Sequence, residues 1–136
     1  MRSVLVLVVV ASFLAASGSG SSAGTGAGTS LTISYWPNGQ RGGAMTAWRL
    51  RCKPAGGTLA RPAVACRRLA AGGAALFAAV PKDVVCTQIY GGPQTARVVG
   101  MLDGKRISSA FSRVDGCEIG RWNRLSPWLL PRAGVT

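Results

Sequence analysis

The order of apolar and polar residues along the chain predicts several short β-strands. Residues 46–52 alternate, and one side of this segment carries Thr46, Trp48, Leu50 and Cys52 while the other carries Ala47, Arg49 and Arg51. A period of two is typical of a strand with one buried face. Residues 31–36 are rich in β-forming types and end at Pro37-Asn38-Gly39, which is a turn signal.

Two further runs, 95–102 and 105–114, flank Asp103-Gly104, an arrangement typical of a β-hairpin. Residues 117–122 could form a last strand, and Gly56-Gly57 predicts a turn after the strand at 46–52.

The segment from Pro62 onward has the period of a helix, since Ala65, Leu69 and Leu76 recur on one face. Gly72-Gly73 interrupts it at a cost of about 1 kcal/mol per glycine, so the helix ends there or a strand packs closely against it. Together the patterns predict a single α+β domain, with an antiparallel sheet of about five short strands and a helix on one face.

The first thirty residues have a different character. We interpret residues 1–16 as a signal peptide cleaved between 15 and 23, because a short basic start precedes an uncharged stretch and small residues. Residues 17–30 contain only Gly, Ser, Ala and Thr and predict a flexible tether, which leaves 31–136 as the domain. The protein is therefore expected to be secreted, and an uncleaved membrane anchor is the alternative.

Loss of Arg2 with the signal peptide would lower the net charge from +12 to +11. Such a charge attracts nucleic acid, anionic cell-wall polymers or acidic proteins. The arginines are dispersed, so a solvated surface is the simpler interpretation. We expect no specific nucleic-acid partner, and no membrane contact after signal cleavage.

Missing residue types exclude most catalytic mechanisms. The chain has no histidine, so Ser-His-Asp and Cys-His catalysis are impossible. Asp115 and Glu118 are the one close pair of carboxylates, and a glycosidase built on them is a remote alternative. No phosphate-binding loop with its lysine is present. The sequence therefore predicts a protein that is not an enzyme and needs no cofactor.

The cysteine count indicates disulfides. Four cysteines in an exported chain predict two bridges, and three pairings of Cys52, Cys66, Cys86 and Cys117 are possible. Nearest-neighbour pairing would close loops worth roughly 3 and 4 kcal/mol in the chain-entropy model. Zinc prefers closely spaced cysteine pairs, which are absent, so we expect no metal.

Among the four tryptophans, Trp48 is expected in the core because it lies on the apolar side of its strand. Trp128 is the candidate for an exposed ring that could stack on a sugar.

The chain resembles the Streptomyces subtilisin inhibitor family of secreted serine-protease inhibitors. The resemblance covers about 31–122 and rests on four motifs, "LTISYWPNG", "RCKPAGGTLARPAVACRRL", "VVCTQIYGGP" and "FSRVDGCE". It implies a five-stranded antiparallel sheet with two helices, the disulfides Cys52–Cys66 and Cys86–Cys117, and a homodimer formed through the sheets.

The resemblance also implies a reactive loop formed by Cys86, Thr87, Gln88, Ile89 and Tyr90, with Gln88–Ile89 as the scissile bond. A subtilisin-like serine protease is the implied partner. The family commonly has proline at the position of Thr87, and methionine or lysine at that of Gln88. Rigidity of the loop would favour tight binding, because little entropy is lost on association.

Three alternatives remain beside this interpretation. Residues 86–94 could be a plain disulfide-anchored connection, or the protein could be a non-inhibitory module that binds anionic extracellular polymers. Some family members are transglutaminase substrates, and this would make Gln88 or Gln94 an acyl donor.

Overall fold

The computed structural model describes residues 28–133 of the protein. Five strands form one antiparallel sheet in the order β3-β2-β1-β4-β5. In chain order the elements are β1 (Thr29–Trp36), β2 (Thr46–Cys52), β3 (Gly56–Gly57), α1 (Pro62–Gly72), β4 (Thr95–Leu102), β5 (Lys105–Phe111) and α2 (Gly116–Leu125). The α+β class, the five-stranded antiparallel sheet and the two disulfides are confirmed.

The proposed last strand at 117–122 is wrong, because this segment belongs to α2. The Asp115 carboxylate accepts a hydrogen bond from the Glu118 amide at 2.9 Å and caps the helix. An Asp followed three residues later by Glu is a helix-start signal, and it decides between helix and strand for a short apolar run. Burial of Trp122 and Leu125 on one side then fixes α2 against the core.

Gly56-Gly57 was predicted to be a turn, but it forms the short strand β3. These two residues pair with Arg51 and Leu50 of β2. Gly57 has φ of 115°, and a side chain there would collide with the backbone carbonyl of Arg49. The close approach of two backbones therefore requires glycine at this position.

The first helix ends at the predicted interruption. α1 stops at Gly72, and Gly73, with φ of 60°, begins a short 3-10 turn that runs to Phe77. Leu76 consequently lies outside α1, where it is half-buried beside the core, while Phe77 is buried.

Alternate residues of the sheet separate two faces. The inner face carries Leu31, Ile33, Leu50 and Val98, all at most 1% exposed, and the buried residues of both helices complete this core. Trp48 is half-buried at its edge, where its ring lies 6.1 Å from the ring of Tyr35.

Trp128 was the candidate for an exposed ring, and this prediction is wrong. Its side chain is 5% exposed, and its indole N–H donates to the Arg124 carbonyl at 2.9 Å. Leu129 and Leu130 are buried beside it. The segment after α2 thus folds back onto the core, so Trp128 offers no free ring for a sugar.

The signal peptide and residues 17–27 of the predicted tether lie outside the described residues. β1 begins at Thr29, two residues before its expected start and within the range assigned to the tether. Within 28–133, no helix is both long enough and apolar enough to cross a membrane.

Candidate functional site

The five residues of the predicted reactive loop form a continuous surface segment. It lies between the 3-10 turn at Gly73–Phe77 and β4. Thr87 to Tyr90 are exposed, with 59% of Ile89 and 66% of Tyr90 accessible, while Cys86 is half-buried. None of the five belongs to a helix or strand. Their shape must therefore be maintained by contacts with neighbouring segments.

The disulfide Cys86–Cys117 provides the first contact. It joins the start of the loop to the first turn of α2, with 5.4 Å between the Cα atoms. The second disulfide, Cys52–Cys66, joins β2 to α1 on another part of the domain. The structure thus contains the pairing that the family resemblance implies.

A backbone hydrogen bond holds the next residue. The amide of Gly116 donates to the carbonyl of Thr87 at 2.9 Å. A side chain at Gly116 would collide with the Thr87 hydroxyl, so glycine is needed for this close approach. Thr87 is therefore held directly against the start of α2.

Two hydrogen bonds between Arg113 and Gly91 hold the other end of the loop. The Gly91 amide donates to the Arg113 carbonyl at 2.7 Å, and Arg113 Nε donates to the Gly91 carbonyl at 3.1 Å. The Arg113 guanidinium also lies 6.0 Å from the centre of the Trp122 ring. The side chain is thus fixed between the loop and α2.

All of these contacts are made with a single segment, residues 113–117. The disulfide and the Thr87 bond precede the Gln88–Ile89 peptide, and the Gly91 bonds follow it. The two flanks of this peptide bond are consequently fixed to the same part of the domain, independently of one another.

Arg121 stabilises the region beneath the loop, although no pattern in the sequence indicated its burial. It is 5% exposed and donates to the carbonyls of Ala78 and Ala110 at 2.9 and 3.0 Å. It also forms an ion pair with Glu118 at 2.8 Å and bonds to the Ser109 hydroxyl. This network joins the segment before the loop to β5 and α2.

The two glutamines near the loop differ in exposure. Gln88 is exposed, and its Nε2 donates to the Cys86 carbonyl at 3.3 Å. Gln94 is 8% exposed, so its amide is closed to an enzyme such as a transglutaminase. Of the two predicted acyl donors, Gln88 alone is accessible.

Val85 is absent from the predicted site although it is 96% exposed. It directly precedes Cys86 and follows Val84, which is also exposed, and neighbouring exposed apolar side chains mark candidate interaction surfaces. The sequence signal that could have identified Val85 is its position next to Cys86. Val85 therefore joins the candidate contact residues.

The acidic residues have structural roles. Asp115 caps α2 and Glu118 pairs with Arg121, so these carboxylates do not face each other across a cleft. Asp115 also lies near Cys86 and Cys117, the one potential metal-ligand group among residues 28–133. Because both sulfur atoms are in the disulfide, this group offers a single carboxylate and does not constitute a metal site.

Comparison with known proteins agrees with this geometry. The sequence model of the subtilisin inhibitor-like family matches residues 26–114, most of the described domain. Subtilisin inhibitor-like protein 1 of Streptomyces cacaoi is 40% identical over 81 residues, which are 56% of this chain and 72% of that protein.

Among solved structures, Streptomyces caespitosus sermetstatin in complex with Bacillus licheniformis subtilisin is similar, with a TM-score of 0.50 and 25% identity. The similarity covers 76% of this chain and 97% of sermetstatin. The chain belongs to the subtilisin inhibitor-like family, whose members inhibit proteases and are not enzymes.

Proposed function

We propose that the protein inhibits subtilisin-like serine proteases by presenting residues 86–90 as a substrate would be presented. In this proposal the Gln88 side chain enters the primary pocket of the protease, and the Gln88–Ile89 peptide bond faces the catalytic serine. Exposed Ile89 and Tyr90 contact the protease on the leaving-group side, and exposed Val85 contacts it on the other side.

Binding depends on the pre-organised shape of the loop. A flexible peptide loses conformational entropy when a protease orders it, whereas a loop already fixed in an extended form loses little. Gln88 must give up its bond to the Cys86 carbonyl when it enters the pocket. Because this bond is long and exposed, its loss costs at most about 1 kcal/mol.

Resistance to hydrolysis follows because the two sides of the Gln88–Ile89 bond are attached to the domain separately. Attack of the serine oxygen on the Gln88 carbonyl would form an acyl-enzyme and free the Ile89 amine. The contacts between Gly91 and Arg113 would retain that amine beside the ester, while the Thr87–Gly116 bond and the disulfide retain the acyl side. A retained amine attacks with a high effective concentration, so the peptide bond re-forms and the serine is released.

The observation that carries the proposal is the attachment of both flanks of Gln88–Ile89 to residues 113–117. The matched structure is that of sermetstatin in complex with a subtilisin, which supports the same class of partner. A plain connecting loop would need neither the glycine at 116 nor the paired bonds to Arg113.

Titration of subtilisin with the purified protein tests the proposal. Residual protease activity should fall linearly to zero near one equivalent, and mass spectrometry of the complex should find the inhibitor chain intact or cut at Gln88–Ile89 alone. Unchanged subtilisin activity at a large excess of folded protein would contradict the proposal.

We also propose that the protein is exported, with residues 1–16 as its signal peptide. Two disulfides are typical of an oxidising compartment and support this location. Sequencing of the amino terminus of protein recovered from culture medium should find a start between residues 15 and 23. Retention of the entire chain inside the producing cells would contradict export.

A further inference from the structure

The Gln94 side chain lies directly beneath the exit of the loop. Gln94 is the last residue before β4, and it is 8% exposed. A side chain at Gly92 would collide with Gln94 Oε1, so the carboxamide of Gln94 occupies the space where that side chain would be. Gly92 also has φ of 123°, which favours glycine. The loop exit is therefore shaped to accommodate the Gln94 carboxamide.

The carboxamide oxygen of Gln94 has no hydrogen-bond partner within residues 28–133. Thr95 Oγ1 is the other buried side-chain oxygen in this part of the chain that lacks a partner. A buried acceptor that has given up water and gained no donor lowers the stability of the free protein. Because such groups are rare in folded proteins, an unpaired acceptor against the loop indicates a function there.

The Gly92 amide is a donor within reach of this oxygen. It forms no backbone hydrogen bond within 28–133, whereas the Gly91 amide donates to Arg113. Because Gln94 Oε1 lies against the Cα atom of Gly92, standard backbone dimensions place it within about 5 Å of the Gly92 nitrogen. A change of the Gln94 rotamer, or a small shift of Gly92, would bring the two atoms to about 3 Å, the distance of a hydrogen bond.

The loop already contains a bond between a glutamine side chain and the backbone two residues earlier. Gln88 Nε2 donates to the carbonyl of Cys86, and Gln94 likewise follows Gly92 by two residues. A groove of about 560 Å³ beside Tyr90 is lined in part by Gly92 and Gln94. This groove provides the space into which the Gln94 carboxamide can turn.

We propose that Gln94 is a positioning residue for the leaving-group side of the loop, and that its carboxamide oxygen accepts a hydrogen bond from the Gly92 amide in the protease complex. This inference rests on the proposed function. Contact of the protease with exposed Tyr90, two residues before Gly92, would supply the small shift that the bond needs. An interaction that is absent from the free inhibitor and is made in the complex adds fully to affinity, just as one made only in a transition state adds fully to rate.

The same bond would act after cleavage. Gly92 follows Ile89 by three residues, so a fixed Gly92 limits how far the freed Ile89 amine can move from the acyl-enzyme. The effective concentration of the amine would then be higher, and the Gln88–Ile89 bond would re-form more readily. Gln94 would thereby add a third attachment to the two bonds between Gly91 and Arg113.

Gln94→Met tests the proposal, because methionine has nearly the length of glutamine but no carboxamide. Loss of an unpaired buried acceptor should leave the unfolding temperature unchanged or raise it. The inhibition constant for subtilisin should nevertheless rise at least about fivefold. Mass spectrometry should also find a larger fraction of the inhibitor chain cut at Gln88–Ile89 at equilibrium.

Thr95→Val is the matched control, because it removes the other unpaired oxygen without changing the shape of the side chain. It should keep or raise the unfolding temperature and inhibit as the wild type does. Hydrogen exchange of the Gly92 amide, followed by NMR, reports the bond directly. Complex formation should slow this exchange at least about tenfold more in the wild type than in Gln94→Met.

Inhibition by Gln94→Met at the wild-type level, or equal losses in Gln94→Met and Thr95→Val, would overturn the proposal. Weaker inhibition by Gln94→Met with unchanged exchange of the Gly92 amide would assign the acceptor to a donor of the protease, and would overturn the bond to Gly92. If the wild type itself did not inhibit subtilisin, the proposed function would fail and this inference with it. Comparison of each variant with an active wild type therefore distinguishes the two failures.

Discussion

The amide of Gly116, the first residue of α2, donates a 2.9 Å hydrogen bond to the carbonyl of Thr87, the residue before Gln88. The two residues are 29 positions apart in the chain and come together because the adjacent Cys86 and Cys117 are bonded. This contact couples the helix start to the exposed peptide bond, and it explains why position 116 has no side chain.

Gly116→Ala should weaken inhibition without destabilising the fold. The new methyl group would collide with Thr87 and displace the residue before Gln88. Alanine is a better helix former than glycine, so the unfolding temperature should hardly change. We expect the inhibition constant for subtilisin to rise at least about tenfold, which corresponds to roughly 1.4 kcal/mol.

Gly120→Ala is the matched control, because it lies in the same helix and a methyl group there has nothing within 4 Å. It should inhibit as the wild type does. Equal inhibition by Gly116→Ala and Gly120→Ala would show that the Thr87 contact is dispensable.

Removal of either disulfide should lower the free energy of unfolding by a similar amount. The two removals should affect the loop differently. The closed loops span 31 residues for Cys86–Cys117 and 14 for Cys52–Cys66. Their loss as paired Cys→Ser changes should lower the free energy of unfolding by roughly 4 and 3 kcal/mol, measured by urea denaturation.

At a temperature where both variants are folded, subtilisin should cleave Gln88–Ile89 and release the chain when Cys86–Cys117 is absent. The variant without Cys52–Cys66 should still inhibit and stay intact. Mass spectrometry of the incubated proteins distinguishes the two, and equal cleavage of both would count against rigidity of the loop as the cause of resistance.

Gln88→Lys should extend inhibition to trypsin. Trypsin has a carboxylate at the bottom of its primary pocket, and a lysine side chain supplies the charge that glutamine lacks. We expect at least about a tenfold gain in trypsin inhibition, or roughly 1.4 kcal/mol. Gln40→Lys is the control, because Gln40 is exposed and outside the loop, whereas Gln94 is buried and its replacement by lysine would disturb the fold.

If Gln88→Lys gained no trypsin inhibition but still inhibited subtilisin, the scissile bond would have to lie at another position. The inhibition constants for both proteases, measured for wild type and the two lysine variants, decide this.

Arg121→Met should destabilise the domain. The substitution leaves Glu118 without its partner and removes the donors to the carbonyls of Ala78 and Ala110. Loss of one partner of such a buried network costs about 3 kcal/mol in free energy of unfolding. Arg124→Met, at an exposed position of the same helix, should change stability little in the same urea experiment.

The sequence by itself determined the local elements whose pattern has a clear period. Alternation at 46–52 placed Leu50 in the core and Arg49 and Arg51 in solvent, and the Asp103-Gly104 turn joined β4 to β5. The run at 117–122 is too short for its period to separate strand from helix, so the Asp115 cap decides it.

Tertiary structure decided which distant residues meet. Residues 113–117 lie against 86–91 because α2 packs on the core and the disulfide closes between them, and no local pattern encodes that approach. Packing of the segment after α2 likewise buried Trp128. Local preference sets backbone conformation over a few residues, whereas burial and pairing depend on contacts between segments far apart in the chain.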